Sequence, residues 1–479
     1  MMKRPGFNPF LPSWEYVPDG EPHVFGNRVY LYGSHDRFSG HAFCLNDYVC
    51  YSAPIDDLTD WTFEGVIYGR RDDPLNADGD QCLYAPDVCM GSDGRYYLYY
   101  MLDAASVVSV AVCDTPAGRY RFYGHVRHPD GTLLGERAGD EPFFDPGVLF
   151  EDGKLFLYGG SCLPMLPFRH GPMVTVLDAD MLTVIQPPSF IAPSAPYSSG
   201  TGYEGHEYFE AASIRKIGKT YYFIYSSVLS HELCYATSES PVEGFQFRGT
   251  LISNADIGIG SYKSAEKPMA VPDNVHGSIE QINGKWYVFY HRHTNNFSFS
   301  RQACLEPIEI LPDGSIPQVE ISSCGPNRAP LPGRGTYHAY IACNLYCDGF
   351  QNIQAGSIPG QRHDPHFPYL TQDGKDGDEI CGHVANLGDG AMVGYKYFDC
   401  QGSVLSSVTT RGWCYGGVLE LLKSPESKEV LGQIPIGKSN EWKNWPCYVT
   451  IPDGVHALYF RYNGYGYIDL FDFALDAEK

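Results

Sequence analysis

Ala85-Pro-Asp-Val-Cys-Met-Gly-Ser-Asp-Gly-Arg-Tyr-Tyr-Leu-Tyr99 reads as one β-hairpin: an acid opens a short apolar strand, Ser-Asp-Gly turns the chain, and an aromatic strand returns. The same form recurs at Pro18–Tyr32, Phe144–Tyr158, Phe209–Phe223 and Val275–Phe289. Successive copies begin about 60 to 70 residues apart, room for a four-stranded sheet with long loops, so each copy marks one blade of a propeller. Ala53-Pro54, Thr115–Gly118 and Ser240–Gly244 each precede an aromatic strand and echo the outer part of a blade. Five copies predict five blades; a stack of β-sandwiches would show shorter and less regular turn spacing.

The rest of the chain agrees with an all-β protein. Helical periodicity is scarce, whereas tyrosine (36) and glycine (52) are plentiful among short strands and turns. At 479 residues, 43% hydrophobic and only 19% charged, the chain exceeds what one core organises and is globular. Near Gln302–Gly335 the blade rhythm stops and Pro, Gly and Ser accumulate, as in Leu311-Pro-Asp-Gly314. The predicted organisation is a propeller over residues 1–320, a linker over 321–335 and a β-sandwich over 336–479.

Charge narrows the partners. Fifty-seven acidic against thirty-four basic residues give a net charge of −23, which repels nucleic acid and anionic membranes. No stretch approaches the ~18 apolar residues of a membrane span. Met1-Met2-Lys3-Arg4-Pro5 is followed by Asn8, Pro9, Pro12 and Trp14 where a signal peptide needs an apolar run. Fifteen cysteines without C-x-x-C pairs read as reduced, buried thiols, so a cytoplasmic location is expected.

In a propeller the start of each innermost strand points to one shared channel. Here those starts bring Asp19, Asp87, Asp145, Glu210 and His276, four carboxylates and an imidazole whose mutual repulsion and desolvation are costly unless function retains them. Two carboxylates across a pocket are what glycosidic cleavage needs, one protonated to donate to the leaving oxygen and one ionised to activate water. A third raises the acid's pKa by repulsion. Asp19, Asp87 and Glu210 supply these three parts.

These residues resemble glycoside hydrolase family 43 over about residues 6–325. The likeness rests on Tyr84-Ala-Pro-Asp87, Phe144-Asp-Pro146, Glu210 opening Glu-Ala-Ala-Ser-Ile-Arg-Lys, and His276-Gly-Ser278 ahead of Trp286-Tyr-Val-Phe-Tyr-His291. The resemblance implies hydrolysis with inversion, of α-L-arabinofuranosides or β-D-xylosides in oligosaccharides, with Asp19 as base, Asp87 as pKa modulator and Glu210 as acid. Pro18-Asp-Gly-Glu-Pro22 departs from the family's Asp-Pro, so Glu21 competes with Asp19 as base and otherwise binds a sugar hydroxyl. Asp145 and Arg292 are further candidates for substrate contact. Glu204 and Glu207 are alternative acids in a Gly-rich loop. His276 resembles the family histidine beneath the sugar, which implies a substrate contact and a calcium ligand, although one imidazole does not make a calcium site. No organic cofactor is expected. Gly349-Phe-Gln351 and Tyr465–Phe473 resemble family 6 carbohydrate-binding modules, with Trp413, Trp442, Trp445 and Tyr467 as rings for sugar stacking. Other readings of the same pattern are a non-catalytic sugar-binding propeller, a galactosidase, and a phosphorolytic mannoside enzyme.

Overall fold

The computed structural model describes residues 6–162, 169–260, 263–296, 298–349 and 366–478; Met1–Pro5, Phe350 and Gln351 of the motifs above lie outside them. Four sheets have four antiparallel strands each. They are β1 (Glu21–Phe25), β2 (Arg28–Tyr32), β3 (Tyr48–Pro54) and β4 (Thr62–Tyr68); β5 (Asp87–Met90), β6 (Tyr96–Met101), β7 (Val108–Cys113) and β8 (Arg121–His125); β9 (Gly147–Glu151), β10 (Lys154–Gly159), β11 (Met173–Leu177) and β12 (Val184–Phe190); and β13 (Tyr208–Ile217), β14 (Thr220–Ser227), β15 (Glu232–Ser238) and β16 (Gln246–Ser253). A fifth has three, β17 (Ser278–Ile282), β18 (Lys285–His293) and β19 (Arg301–Ile308). These are the five blades, each opened by one of the repeated hairpins. The turn chemistry does what it promised: Asp152 (φ 51°) with Gly153 (φ 74°), and Asn283 (φ 50°) with Gly284 (φ 74°), supply the consecutive left-handed residues of tight hairpin turns.

Five apolar clusters fill the five wedges between neighbouring blades. Tyr32, Leu98 and Tyr100 join blades one and two. Tyr99, Val110 and Leu157 join two and three. Tyr158, Phe223 and Tyr225 join three and four, and Ile224, Leu233 and Val288 join four and five. Val29, Tyr51 and Phe289 close the ring between five and one. Where β19 lacks an outer partner, the N-terminal segment takes its free edge. Phe10 N donates to Ala303 O (3.2 Å), Asn8 Nδ2 donates to Leu305 O (2.8 Å), and Asn8 Oδ1 accepts from Leu305 N (3.0 Å). The Asn8 amide thus imitates a strand residue across 297 positions of sequence.

The second domain has β20 (Leu331–Pro332), β21 (Gly335–His338), β22 (Asn344–Tyr346), β23 (Tyr369–Thr371), β24 (His383–Leu387), β25 (Met392–Cys400), β26 (Ser403–Leu422), β27 (Gly432–Ile436), β28 (Ser439–Ile451) and β29 (Gly454–Ala477). In place of two separate sheets, it forms one hydrogen-bonded sheet of ten strands curled around a single core that includes Tyr395, Leu405, Phe460 and Phe473. The reason is strand length. β26 and β29 run for 20 and 24 residues, and β29 pairs in turn with β21, β24, β25 and β26, so it links both layers.

Buried polar groups hold this domain to the propeller. Lys396 Nζ meets Asp256 Oδ2 at 2.6 Å and Glu320 Oε2 at 3.1 Å, Lys263 Nζ meets Asp256 Oδ2 at 2.9 Å, and Asn344 Nδ2 donates to the same carboxylate. Asp376 Oδ1 accepts from Phe38 N (2.8 Å), pinning the loop whose Phe43 and Cys44 reach the channel mouth.

Candidate active site

At one end of the channel a cavity of about 190 Å³ is lined by Asp19, Asp145, Glu210, His276, His291 and Arg301, with Phe43, Tyr84 and Phe144 as aromatic walls. The volume lies below the ~300–1,000 Å³ of sites for drug-sized ligands, so the cavity suits one sugar ring. Local backbone turns aim the acids. Asp19 (φ 57°) and Asp145 (φ 49°) hold left-handed conformations just before β1 and β9. Glu210 sits in a register shift of β13 next to Ala211 (φ 68°), a bulge that turns its carboxyl inward.

The three cavity carboxyls are shifted in two directions, Asp19 downward and Glu210 and Asp145 upward. Burial alone would raise Asp19, but the Arg301 guanidinium and nearby histidines outweigh it and hold Asp19 far below the usual carboxylate range. Arg301 Nη1 donates to Asp19 Oδ1 at 2.8 Å, while Arg301 Nε and Nη2 are gripped by Asp36 at 2.9 and 3.0 Å. The Phe43 ring lies 4.6 Å from the guanidinium carbon. Glu210 is the reverse case: burial, then Asp145, then Asp19 push its carboxyl well above the ordinary value. Asp145 is raised to about 6, chiefly by burial, although Ala211 N donates to it. His276 Nδ1 stands 3.8 Å from Asp145 Oδ2 and Nε2 stands 3.7 Å from Glu21 Oε1; burial opposes its charge, but Glu21, Asp145 and Asp19 lift it to about 9. His291 is pushed down by burial; its Nδ1 accepts from Asp19 N (3.2 Å) and its Nε2 donates to Asn274 O (3.0 Å), which assigns one neutral tautomer.

Asp87 lies elsewhere. Its Oδ1 accepts from Val88 N (2.7 Å) and meets His23 Nε2 (2.6 Å), and its Oδ2 accepts from Val148 N (2.8 Å), so it stitches blades one, two and three and does not line the cavity. Asp145 occupies the place beside Glu210 expected for Asp87. Glu21 is also outside the cavity, paired with Arg215 Nη2 at 2.9 Å. Arg292 is buried and donates through Nη2 to Ala342 O (3.0 Å) towards the second domain. Glu207 accepts from Ser198 Oγ and Gly205 N, and the exposed Glu204 from Gly202 N, so both serve their own loop. Arg301 and His291 come together with the acids through the long pairing of β18 with β19, and only His291 stood in a quoted motif. Of the proposed stacking rings, Trp442 packs against Arg411 and Phe471, Trp445 Nε1 donates to Thr410 Oγ1, Tyr467 OH meets His366 Nδ1, and Trp413 is exposed beside Tyr415.

Among the described residues, two groups bring three potential metal ligands within 4.8 Å: Glu21, His23 and Asp87 in the channel, and His206, Glu232 and Cys234 in blade four. Neither suits calcium, which takes about six to eight oxygens. In the channel both Asp87 oxygens accept backbone N–H bonds and Glu21 Oε2 is held by Arg215, which leaves Glu21 Oε1 and His276 Nε2 as unbonded buried atoms. In blade four burial keeps the Cys234 thiol well above its ordinary pKa, and Glu232 is bonded to His206, Ser227 and Thr250.

A five-bladed propeller that brings two carboxyls with oppositely shifted pKa values to a one-ring cavity has the parts that glycoside hydrolysis needs. The sequence profile described as Glycosyl hydrolases family 43 matches residues 8–316, and the chain belongs to that family. It is 60% identical over 474 residues, 99% of each chain, to a "Xylosidase/arabinosidase" of Thermoclostridium stercorarium. A "Xylosidase/arabinosidase" of Bacteroides ovatus is 28% identical over 59% of this chain and 87% of that one. Among solved structures, the β-xylosidase RS223 superposes with a TM-score of 0.53 at 25% identity, covering 66% of this chain and 99% of its own. An arabinoxylan arabinofuranohydrolase of Bacillus subtilis shares the fold across both domains, with a TM-score of 0.50 at 21% identity over 98% and 96% of the chains.

Proposed function

We propose that the protein is an exo-acting, inverting glycosidase that releases terminal D-xylose and L-arabinofuranose from arabinoxylan-type oligosaccharides, with Asp19 as base, Glu210 as acid and Asp145 as the modulator of Glu210. The observation that carries this reading is that Asp19, paired with Arg301, and Glu210, beside Asp145, face one small cavity with their pKa values pushed in opposite directions. Glu210 gives its proton to the glycosidic oxygen as the bond to the anomeric carbon breaks. Asp19 takes a proton from water as that water attacks the opposite face, so the sugar leaves with inverted configuration. Arg301 keeps Asp19 ionised, and the small volume of the cavity favours cleavage at chain ends. The 60% identity to a xylosidase/arabinosidase supports the pentoside choice. Fifteen cysteines without a C-x-x-C pair fit action on imported oligosaccharides inside the cell.

The test is hydrolysis of nitrophenyl β-D-xyloside and α-L-arabinofuranoside in phosphate-free buffer, with the first-formed anomer of xylose read by NMR. Wild type releases the inverted anomer from xylobiose, and Glu210→Gln and Asp19→Asn each lose about 10²-fold or more of activity. A folded wild type inactive on both glycosides overturns the reading in favour of a sugar-binding propeller.

A further inference from the structure

One layer below the sugar cavity, the inner strands turn Glu21 and His23 (β1), Asp87 (β5), Arg215 (β13) and Glu280 (β17) toward each other. Arg215 is the hub. Its Nη2 donates to Glu21 Oε2 (2.9 Å) and to Pro22 O (2.8 Å), its Nε to Glu280 Oε2 (3.3 Å), and its Nη1 to Ile214 O (2.8 Å). Two carboxylate oxygens and two backbone carbonyls are the ligands a hard divalent cation collects. Here one guanidinium collects them, and its planar fork spans blades one, four and five. What it holds leads directly to the chemistry: Glu21 faces His276 at 3.7 Å, and His276 faces Asp145 at 3.8 Å.

We propose that Arg215 is the resident cation of the propeller channel, standing where a divalent metal would otherwise neutralise Glu21 and Glu280, and that it positions His276 and Asp145 so that the enzyme works without a metal. Three observations converge on it. Arg215 is largely shielded, with its side chain 11% exposed, so its charge acts in a poorly screened setting. Its bonds leave a metal only Glu21 Oε1 and His276 Nε2 as unbonded buried donors, beside a fixed positive charge. His276 itself is wedged between two carboxylates, Glu21 at 3.7 Å and Asp145 at 3.8 Å, so the carboxylate that Arg215 holds sets where the imidazole lies. Arg215 touches no sugar-lining surface and is a positioning residue.

The experiment strips the wild-type protein with EGTA, then adds calcium chloride, and follows Tm and aryl-xyloside kinetics; Arg215→Met is run beside it. Expected are a Tm and a kcat/KM that neither EGTA nor calcium changes in the wild type. In Arg215→Met, Tm falls on the order of 10 °C, and below that temperature kcat falls roughly tenfold while KM moves less than about twofold. A wild type that loses Tm or activity in EGTA and recovers both in calcium overturns the proposal, as does an Arg215→Met variant with wild-type Tm and kcat. If Arg215→Met does not fold, the wild-type arm decides. The kinetic arm rests on the glycosidase reading, whereas the Tm arm does not, so failure of one is distinguishable from failure of the other.

Discussion

Replacing Asp145 by Asn separates the two aspartates that compete for the modulator's place. Glu210 is raised first by burial and next by Asp145, and Asp145 itself titrates near 6. Above that pH Asp145 is charged and resists ionisation of Glu210; the Asn variant removes this resistance and leaves burial in place. One nearby like charge in a buried site is worth about one to two pH units, about 1.4–2.7 kcal/mol. The sign follows: Glu210 must be protonated to act, a lower pKa empties the acid form sooner, and the alkaline limb of kcat/KM moves to lower pH. The assay is a pair of pH profiles on xylobiose, whose poor leaving group needs the acid, and on an aryl xyloside with a good leaving group, which needs it less. Asp145→Asn loses more on xylobiose, and its alkaline limb falls by the stated amount. Asp87→Asn keeps the wild-type limb. An Asp145→Asn profile that coincides with wild type, or a displaced limb in Asp87→Asn, refutes the assignment.

Three more outcomes follow from the same contacts. Arg301→Met removes the guanidinium that outweighs burial at Asp19, so the base's pKa rises and the acid limb of the profile moves upward; an unmoved acid limb sinks this account. Asp87→Ala leaves the Val88 and Val148 amides without their buried acceptor and costs about 2–5 kcal/mol in urea unfolding, while kcat well below the melting point stays near wild type. Asp256→Ala leaves two buried lysines, Lys263 and Lys396, sharing the one carboxylate of Glu320, a loss of about 3–5 kcal/mol in calorimetry, and an unchanged melting profile counts against that interface.

The hairpin repeat made the five blades readable, because turn residues and aromatic strands are local signals. It also held a finer signal. Within the five fifteen-residue copies, Asp19, Asp145, Glu210 and His276 share the second position, whereas Asp87 stands at the third. A strand alternates its sides, so a slip of one residue moves a side chain off the sugar cavity, and Asp87 accordingly stitches blades in the layer below while the other four meet at that cavity. Tyr84-Ala-Pro-Asp87 is a strong local motif, but its register within the repeat points away from the sugar cavity. Arg301 was illegible for a different reason: no local pattern surrounds it, and only the antiparallel pairing of His293 with Arg301 brings it across to Asp19. Arg292, one position before His293, points instead toward Ala342. The single curled sheet was hidden likewise, since β29 shows its length but not its four partners in sequence.

The Asn8 amide on β19 has a bearing on how the chain is made. The last blade cannot gain its edge partner until Leu305 has left the ribosome, and until then the first residues have no place to settle. Ring closure joins the beginning of the chain to a point some 300 residues later, a contact of very high sequence separation and therefore late in folding. The second domain docks later still, because Lys396 waits beyond it for Asp256 and Glu320. During synthesis the propeller is thus an open arc whose strand edges stay exposed until Asn8 meets Leu305.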